Sequence, residues 1–294
     1  MKGLDFLVIG APKCGTTSLF HYLRNHPRLY IPAQKELPFF SEDDLQSDGW
    51  DHFAAPYYSA VSSEKLWGKL TPEYMKHPVA VPERIRATMP EVKLIAVLRN
   101  PIDRARSAHR MAVKRKWSWQ SSRNFEELAS QQMTAGLDLA QRPLNTICVG
   151  LYAAILRSFL KFFPPSQLLV LFTEEMEADP EAAVDSVLVF LGLPAGFRPA
   201  NLGKKYHVGG TKQRFPAVQK VFRTITPLKW LWRQLPKGRR RALKFWWWTE
   251  VNVVKEKAPD LPAELREKMK DFYRPDVQEL EQIIQRKVPW PEFG

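Results

Sequence analysis

Cysteine is scarce: Cys14 and Cys148 are the only two in 294 residues. A disulfide framework is therefore excluded. Cys14 lies inside a glycine-bearing loop and Cys148 in an apolar run. Both are expected to be reduced, which favours a cytoplasmic setting. The six histidines, His21, His26, His52, His77, His109 and His207, form no cluster with cysteine or carboxylate at metal-ligand spacing. No metal site is expected. No run of about 18 uninterrupted apolar residues occurs, so no membrane-spanning helix is expected. The N-terminal apolar stretch is too short for a signal peptide. Internal repeats and low-complexity linkers are also missing. Acidic residues are in deficit, 31 against 44 basic ones, for a net charge of +13. That excess suits anionic partners: phosphorylated cofactors, acidic glycans, nucleic acid or anionic lipid. Apolar residues at 45% and charged residues at 26% are ordinary for a globular protein. The length fits one α/β domain with additions.

What is present is organised around residues 4–18. Phe6 to Ile9 reads as a buried strand ending at Gly10. Pro12 and Gly15 punctuate a loop, and a helix follows with Leu19, Tyr22 and Leu23 on one face. Strand, glycine loop and helix together aim backbone N–H groups and a helix N-terminus at an anion. The loop is not a Walker A motif: Gly10 and Gly15 have its spacing, but Thr16 stands where the lysine belongs, and the lysine is Lys13, inside the loop.

Further strands are expected at Leu29-Tyr30-Ile31, Lys93 to Leu98 and Leu168 to Phe172. Lys69 to Tyr74 reads as a polar stop. Helices are expected over 82–89, 102–115 with Pro101 in its first turn, 146–163, and from Asp179-Pro180 to about Leu191. The segment 117–144 is expected to be helical with a loop. The tail, 261–286, is expected to be a helix with Leu265, Met269, Phe272 and Tyr273 facing the core. Repeated strand–loop–helix units predict an α/β fold: a P-loop-like three-layer α/β/α arrangement with a central, mainly parallel sheet and a helical C-terminal extension. One domain over 1–294 is expected, with a nucleotide-binding core at 4–215 and an extension at 216–294. In such sheets ligands bind at the carboxyl ends of the strands, where both the 12–18 loop and Arg99 fall. Gly209 and Gly210 beside Lys212 and Arg214 form either a second anion-gripping loop or a surface turn. In 216–256, tryptophans alternate with Lys229, Arg233 and Lys237 to Arg241. This suits a helical layer, a substrate lid, or a peripheral membrane contact through 229–248.

Two stretches carry a family resemblance. Pro12-Lys13-Cys14-Gly15-Thr16-Thr17-Ser18 and Arg99-Asn100-Pro101-Ile102-Asp103-Arg104-Ala105-Arg106-Ser107, each after a strand, resemble the two signatures of the sulfotransferases that use 3′-phosphoadenosine 5′-phosphosulfate (PAPS). Lys35-Glu36-x-x-Phe39-Phe40 resembles the glycan-type branch, similar to heparan sulfate sulfotransferases. Gly150-x-Tyr152, Phe163-Pro164 and Asp179-Pro180 also fit that branch, and Tyr273-Arg274-Pro275-Asp276 extends the likeness loosely into the tail. The chain begins at the domain, so an unanchored, bacterial-type cytoplasmic enzyme is expected.

The resemblance implies roles. Lys13, Cys14, Gly15, Thr16, Thr17 and Ser18 would hold the 5′-phosphosulfate, with Lys13 stabilising the leaving oxygen. Arg99 and Ser107 would hold the 3′-phosphate. Gly210, Thr211, Lys212 and Arg214 would close over the nucleotide. Glu36 would be general base at the acceptor hydroxyl, its pKa raised among Phe39 and Phe40. Lys35 and Glu73 are further substrate-side candidates. The branch often has a lysine at the position held here by Leu70, and Lys69 stands one residue earlier. No metal is required, since the transferred group carries less charge than a phosphoryl group. The expected partner is a hydroxyl on a carbohydrate or glycolipid, and no nucleic acid. A small natural-product alcohol or phenol as acceptor, a P-loop nucleotide kinase, and a non-enzymatic binder of anionic lipid or nucleic acid remain the alternatives.

Overall fold

The computed structural model describes residues 2–34, 36–62, 64–115, 124–140, 143–204, 206, 211–213, 253–255 and 260–294. They belong to two compact units, Met1–His207 with Pro262–Gly294, and Val208–Leu261.

The first unit is built on five strands: β1 (Phe6–Gly10), β2 (Leu29–Tyr30), β3 (Leu66–Leu70), β4 (Lys93–Leu98) and β5 (Leu168–Phe172). Their spatial order is β2-β3-β1-β4-β5, and every pairing is parallel. A parallel strand covered on both faces selects continuous apolar sequence. Phe6 to Ile9 and Leu94 to Leu98 meet that demand and are entirely buried. Between β1 and β4 the strand order reverses direction, since the chain first builds β2 and β3 on one side of β1 and then places β4 on the other. That reversal opens a crevice at the carboxyl ends of β1 and β4, the usual ligand position in such sheets.

Helices α1 (Thr16–Leu23), α2 (Gly49–Tyr58), α3 (Ala80–Thr88), α4 (Pro101–Arg115), α5 (Phe125–Ala135), α6 (Tyr152–Leu160), α7 (Thr173–Ala178), α8 (Pro180–Phe190) and α9 (Ala263–Ile284) flank the sheet. One set packs α1 against α8. Another packs α9 against α4, α5 and α6, with α3 on α6. The three-layer expectation is thus met.

Three local expectations need correction. Lys69 and Leu70 are not a stop but the end of β3, a strand whose apolar signal is broken by Gly68 and Lys69. The helix expected from 146 begins only at Tyr152. Before it, the Asn145 side chain accepts from the amides of Ile147 and Cys148, at 3.0 and 2.8 Å, and turns the chain instead. In the tail, Phe272 is half-buried, and the inward face is completed by Asp276, Val277 and Leu280.

Asp276 is a buried acid with a structural task. Its two carboxylate oxygens each accept a hydrogen bond, from the amides of Ala153 and Ala154, both at 3.0 Å, in the first turn of α6. Burial pushes its carboxyl up to about 6, against the pull of those amides. One turn earlier, the Tyr273 hydroxyl donates to Ile147 O at 2.9 Å. Its ring also covers Gly150, where an added Cβ would stand 2.8 Å from Tyr273 Cε1 and 3.1 Å from Pro101 Cβ. The tail is therefore keyed into the segment that supports α4.

In the second unit, β6 (Thr211–Gln213) and β7 (Val253–Lys255) pair antiparallel. Among the described residues, no helix is long and apolar enough to cross a membrane.

Candidate active site

The loop after β1 is shaped by two left-handed residues. Lys13 has φ 75° and Gly15 has φ 80°. Such a conformation is strained for lysine, and strain of this kind gathers at functional loops. Gly15 is confined twice: a Cβ there would be strained and would also lie 2.9 Å from Met176 Cε. Immediately after Gly15, α1 starts at Thr16 with no acidic residue in its first turn. Its first-turn amides and the positive end of its dipole point out of the crevice floor. Thr16 and Ser18 are buried and Thr17 is half-buried. Ser18 Oγ accepts from the Tyr206 amide at 3.3 Å.

Cys14 faces the other way. Its side chain is fully buried, with Sγ 3.8 Å from the Tyr152 hydroxyl. Burial pushes the thiol up to about 11, outweighing the nearby Arg104 and Arg99 charges and the Tyr152 hydrogen bond. Its backbone is held inside the protein as well, the amide donating to Ala11 O at 3.3 Å and the carbonyl accepting from the Thr173 hydroxyl at 2.9 Å.

The second motif lies beside the first. Ala11 N donates to Val97 O at 2.7 Å, and the Thr173 hydroxyl stands 2.9 Å from both Cys14 O and Leu98 O. Beyond β4, the half-buried Arg99 enters a turn closed by Asn100. Asn100 Oδ1 accepts from the amides of Ile102 and Asp103, at 3.0 and 3.3 Å, and so caps α4. Ser107 is one turn before Met111 on the same helix face. Lys13 Nζ reaches that face, 3.5 Å from Met111 Sδ. Lys13 is thereby brought to the Ser107–Met111 face of α4, and Arg99 directly precedes that helix, although the two motifs are far apart in sequence. This donor set of cations, hydroxyls and amides fits a ligand with two anionic ends.

On the β3 side lies Glu36, which is exposed. Phe39 and Phe40 do not enclose it. They are buried and turn inward, into an aromatic cluster with Trp50, Phe53 and Tyr74. Their apolar surface is satisfied by that cluster, which leaves Glu36 on the solvent side of the loop. Lys69, one residue before the position where the branch often has a lysine, lies beneath this loop. It is 2% exposed, donates to Gln34 O, and lies 5.9 Å from the Tyr57 ring centroid. Burial drives its ammonium down to about 7, with the Glu36 carboxylate pulling it back up. A lysine inside an otherwise apolar strand was the available signal. Glu73, the other substrate-side candidate, is 2.5 Å from Lys76 in an ion pair. Lys35, Gly210 and Arg214 lie outside the described residues, as do the side chains of Thr211 and Lys212 and the whole of 229–248. Among the described residues no group of three or more His, Cys, Asp or Glu is placed to hold a metal ion.

A parallel α/β fold with a glycine loop after β1 and an Arg-Asn-Pro turn after β4 is the class that fold and site define. The profile of the sulfotransferase domain matches residues 4–282, and the chain belongs to that family. It is 28% identical over 288 residues to heparan sulfate glucosamine 3-O-sulfotransferase 6 of Homo sapiens, covering 97% of this chain and 72% of that protein. It is 27% identical over 290 residues to bifunctional heparan sulfate N-deacetylase/N-sulfotransferase 4 of Mus musculus, covering 96% of this chain but only 30% of that protein's length. Among solved structures, a sulfotransferase from Alicyclobacillus acidocaldarius shares the fold, with a TM-score of 0.68 at 24% identity over 98% of both chains.

Proposed function

We propose that the chain transfers a sulfuryl group from PAPS to an acceptor hydroxyl on a carbohydrate or glycolipid. The observation that carries this reading is that the two motif loops follow the neighbouring strands β1 and β4, with Lys13 Nζ of the first 3.5 Å from Met111 Sδ on the helix that the second motif opens. PAPS supplies the sulfuryl group and a phosphate leaving group. Lys13, the amides of Gly15, Thr16 and Thr17 and the Ser18 hydroxyl hold the 5′ end, where preorganised donors stabilise developing charge without reorganising. Arg99 and Ser107 hold the 3′-phosphate. Glu36 takes the acceptor proton as general base. Its exposure leaves it open to a bulky acceptor. Lys69, beneath the same loop, fixes the backbone that presents Glu36.

Support for a glycan acceptor comes from the Lys35-Glu36-x-x-Phe39-Phe40 motif, from the heparan sulfate names of the two relatives, and from a net charge of +13, which suits an acidic polymer. A small alcohol or phenol is the second reading, favoured by the half-buried Tyr57 ring beside Lys69, a flat face on which an aromatic acceptor can stack. The test is an acceptor screen with sulfur-labelled PAPS. Transfer to desulfated glycans and not to phenols is expected. Turnover of phenols without glycans would overturn the acceptor assignment.

A further inference from the structure

The last turn of the chain grips the second motif from below. Residues Pro291–Phe293 form a short 3₁₀ turn, beyond the end of the matched family region at residue 282. Glu292 in this turn uses both carboxylate oxygens. Oε1 accepts from the side-chain amide of Asn100, and Oε2 accepts from Arg266 Nε at 2.9 Å. Its side chain is 18% exposed and that of Arg266 38%, so the ion pair is shielded on the Glu292 side and open to water on the other. Trp290 locks the turn in place. It is 1% exposed and packs against Phe172 at 5.3 Å and Tyr152 at 6.0 Å between ring centroids.

These contacts meet on one peptide turn. The Tyr152 hydroxyl donates to Arg99 O at 2.8 Å. The Asn100 amide donates to Glu174 Oε1 at 3.0 Å. Asn100 Oδ1 is committed to the start of α4, so its amide nitrogen is the end left for the C-terminal turn. Tyr152 and Glu174 therefore hold the backbone of Arg99 and Asn100, and Glu292 holds the Asn100 side chain, from three separate elements. Charge-assisted hydrogen bonds of the Glu292 kind are the strong ones.

We propose that Glu292 is a positioning residue for donor binding. Through Asn100 it holds the Arg99 turn in the geometry that receives the 3′-phosphate of the nucleotide. The proposal rests on the assignment of Arg99 to that phosphate. Because the turn is assigned to the 3′-phosphate, the effect is expected only with ligands that carry that group.

Calorimetric titration with two nucleotides tests it: adenosine 3′,5′-bisphosphate, and adenosine 5′-phosphate, which lacks the 3′ group. Glu292→Ala is expected to weaken the bisphosphate about tenfold, the scale of one lost charge-assisted hydrogen bond, and to leave the monophosphate within about twofold. Glu292→Gln, which keeps an acceptor for Asn100, is expected to lie between wild type and Glu292→Ala. In an Arg99→Ala background, Glu292→Ala is expected to add nothing. Equal weakening of both nucleotides would make Glu292 a general prop of the fold and overturn the proposal. So would unchanged affinity in a wild type that binds the bisphosphate. Failure of the wild type itself to bind the bisphosphate would overturn the site assignment along with it.

Discussion

Lys69 donates its ammonium to the carbonyl oxygen of Gln34, two residues before Glu36. A buried cation in β3 thus anchors the loop that carries the candidate base. Lys69→Met is expected to lower kcat about tenfold, the scale of one charged hydrogen bond, while the affinity for adenosine 3′,5′-bisphosphate stays within about twofold. Steady-state kinetics beside calorimetry separate the two. Loss of nucleotide affinity would place Lys69 on the donor side instead.

The same lysine gives a pH signature. Its ammonium titrates near 7 in the folded chain, against 10.5 for an ordinary lysine. Between those values the unfolded chain binds the extra proton, so stability attributable to Lys69 rises with pH. Urea denaturation should show the wild type gaining on Lys69→Met from pH 7 to pH 10. A difference that does not change with pH would mean that the lysine is hydrated as in water.

Glu36→Gln should act on chemistry alone. A lost general base costs about 10²–10⁴-fold in kcat. Donor affinity should not change, because the carboxylate lies on the β3 side of the crevice. A kcat within about threefold of wild type would remove Glu36 from the base role and leave proton removal to another group.

Asp276 ties the tail to α6. Asp276→Ala removes a cap and leaves the amides of Ala153 and Ala154 without their acceptor, a loss of about 2–3 kcal/mol read by urea denaturation. The carboxyl titrates near 6 when folded, above the ordinary 3.8. Here the folded chain binds the extra proton, so the wild type should lose stability relative to Asp276→Asn as pH rises from about 4 to about 6.

Cys14 and Cys148 are both buried as free thiols. With its thiol pushed up to about 11, Cys14 is almost entirely protonated at neutral pH. Iodoacetamide should label neither cysteine in the native protein at pH 7.5, and both in urea. Rapid native labelling at Cys14 would contradict the inward orientation described for it.

Much of this was legible in the sequence where the determinants are local. β1, β4 and β5 announced themselves because central parallel strands demand unbroken apolar runs. The 12–18 loop was readable because its glycine spacing and helix start sit within a few residues, and the Asp179 cap of α8 because Asp179 Oδ1 meets Ala182 N three residues on, at 2.9 Å. What was not legible depends on distant partners. β3 was hidden because Gly68 and Lys69 interrupt its pattern, and Lys69 makes sense only once Gln34 lies against it. Phe39 and Phe40 looked like walls around Glu36, but Trp50 and Phe53, on a helix with little periodicity, draw them inward. Glu292 meets Asn100 across 192 residues, and no local pattern marks it.

The most direct test of the account is a titration of wild type and Arg99→Ala with adenosine 3′,5′-bisphosphate, beside ATP. The account predicts binding by the wild type, its loss in Arg99→Ala, and far weaker binding of ATP. ATP bound equally well, or the bisphosphate bound equally by both proteins, would contradict the assignment of the β1–β4 crevice to a sulfuryl donor.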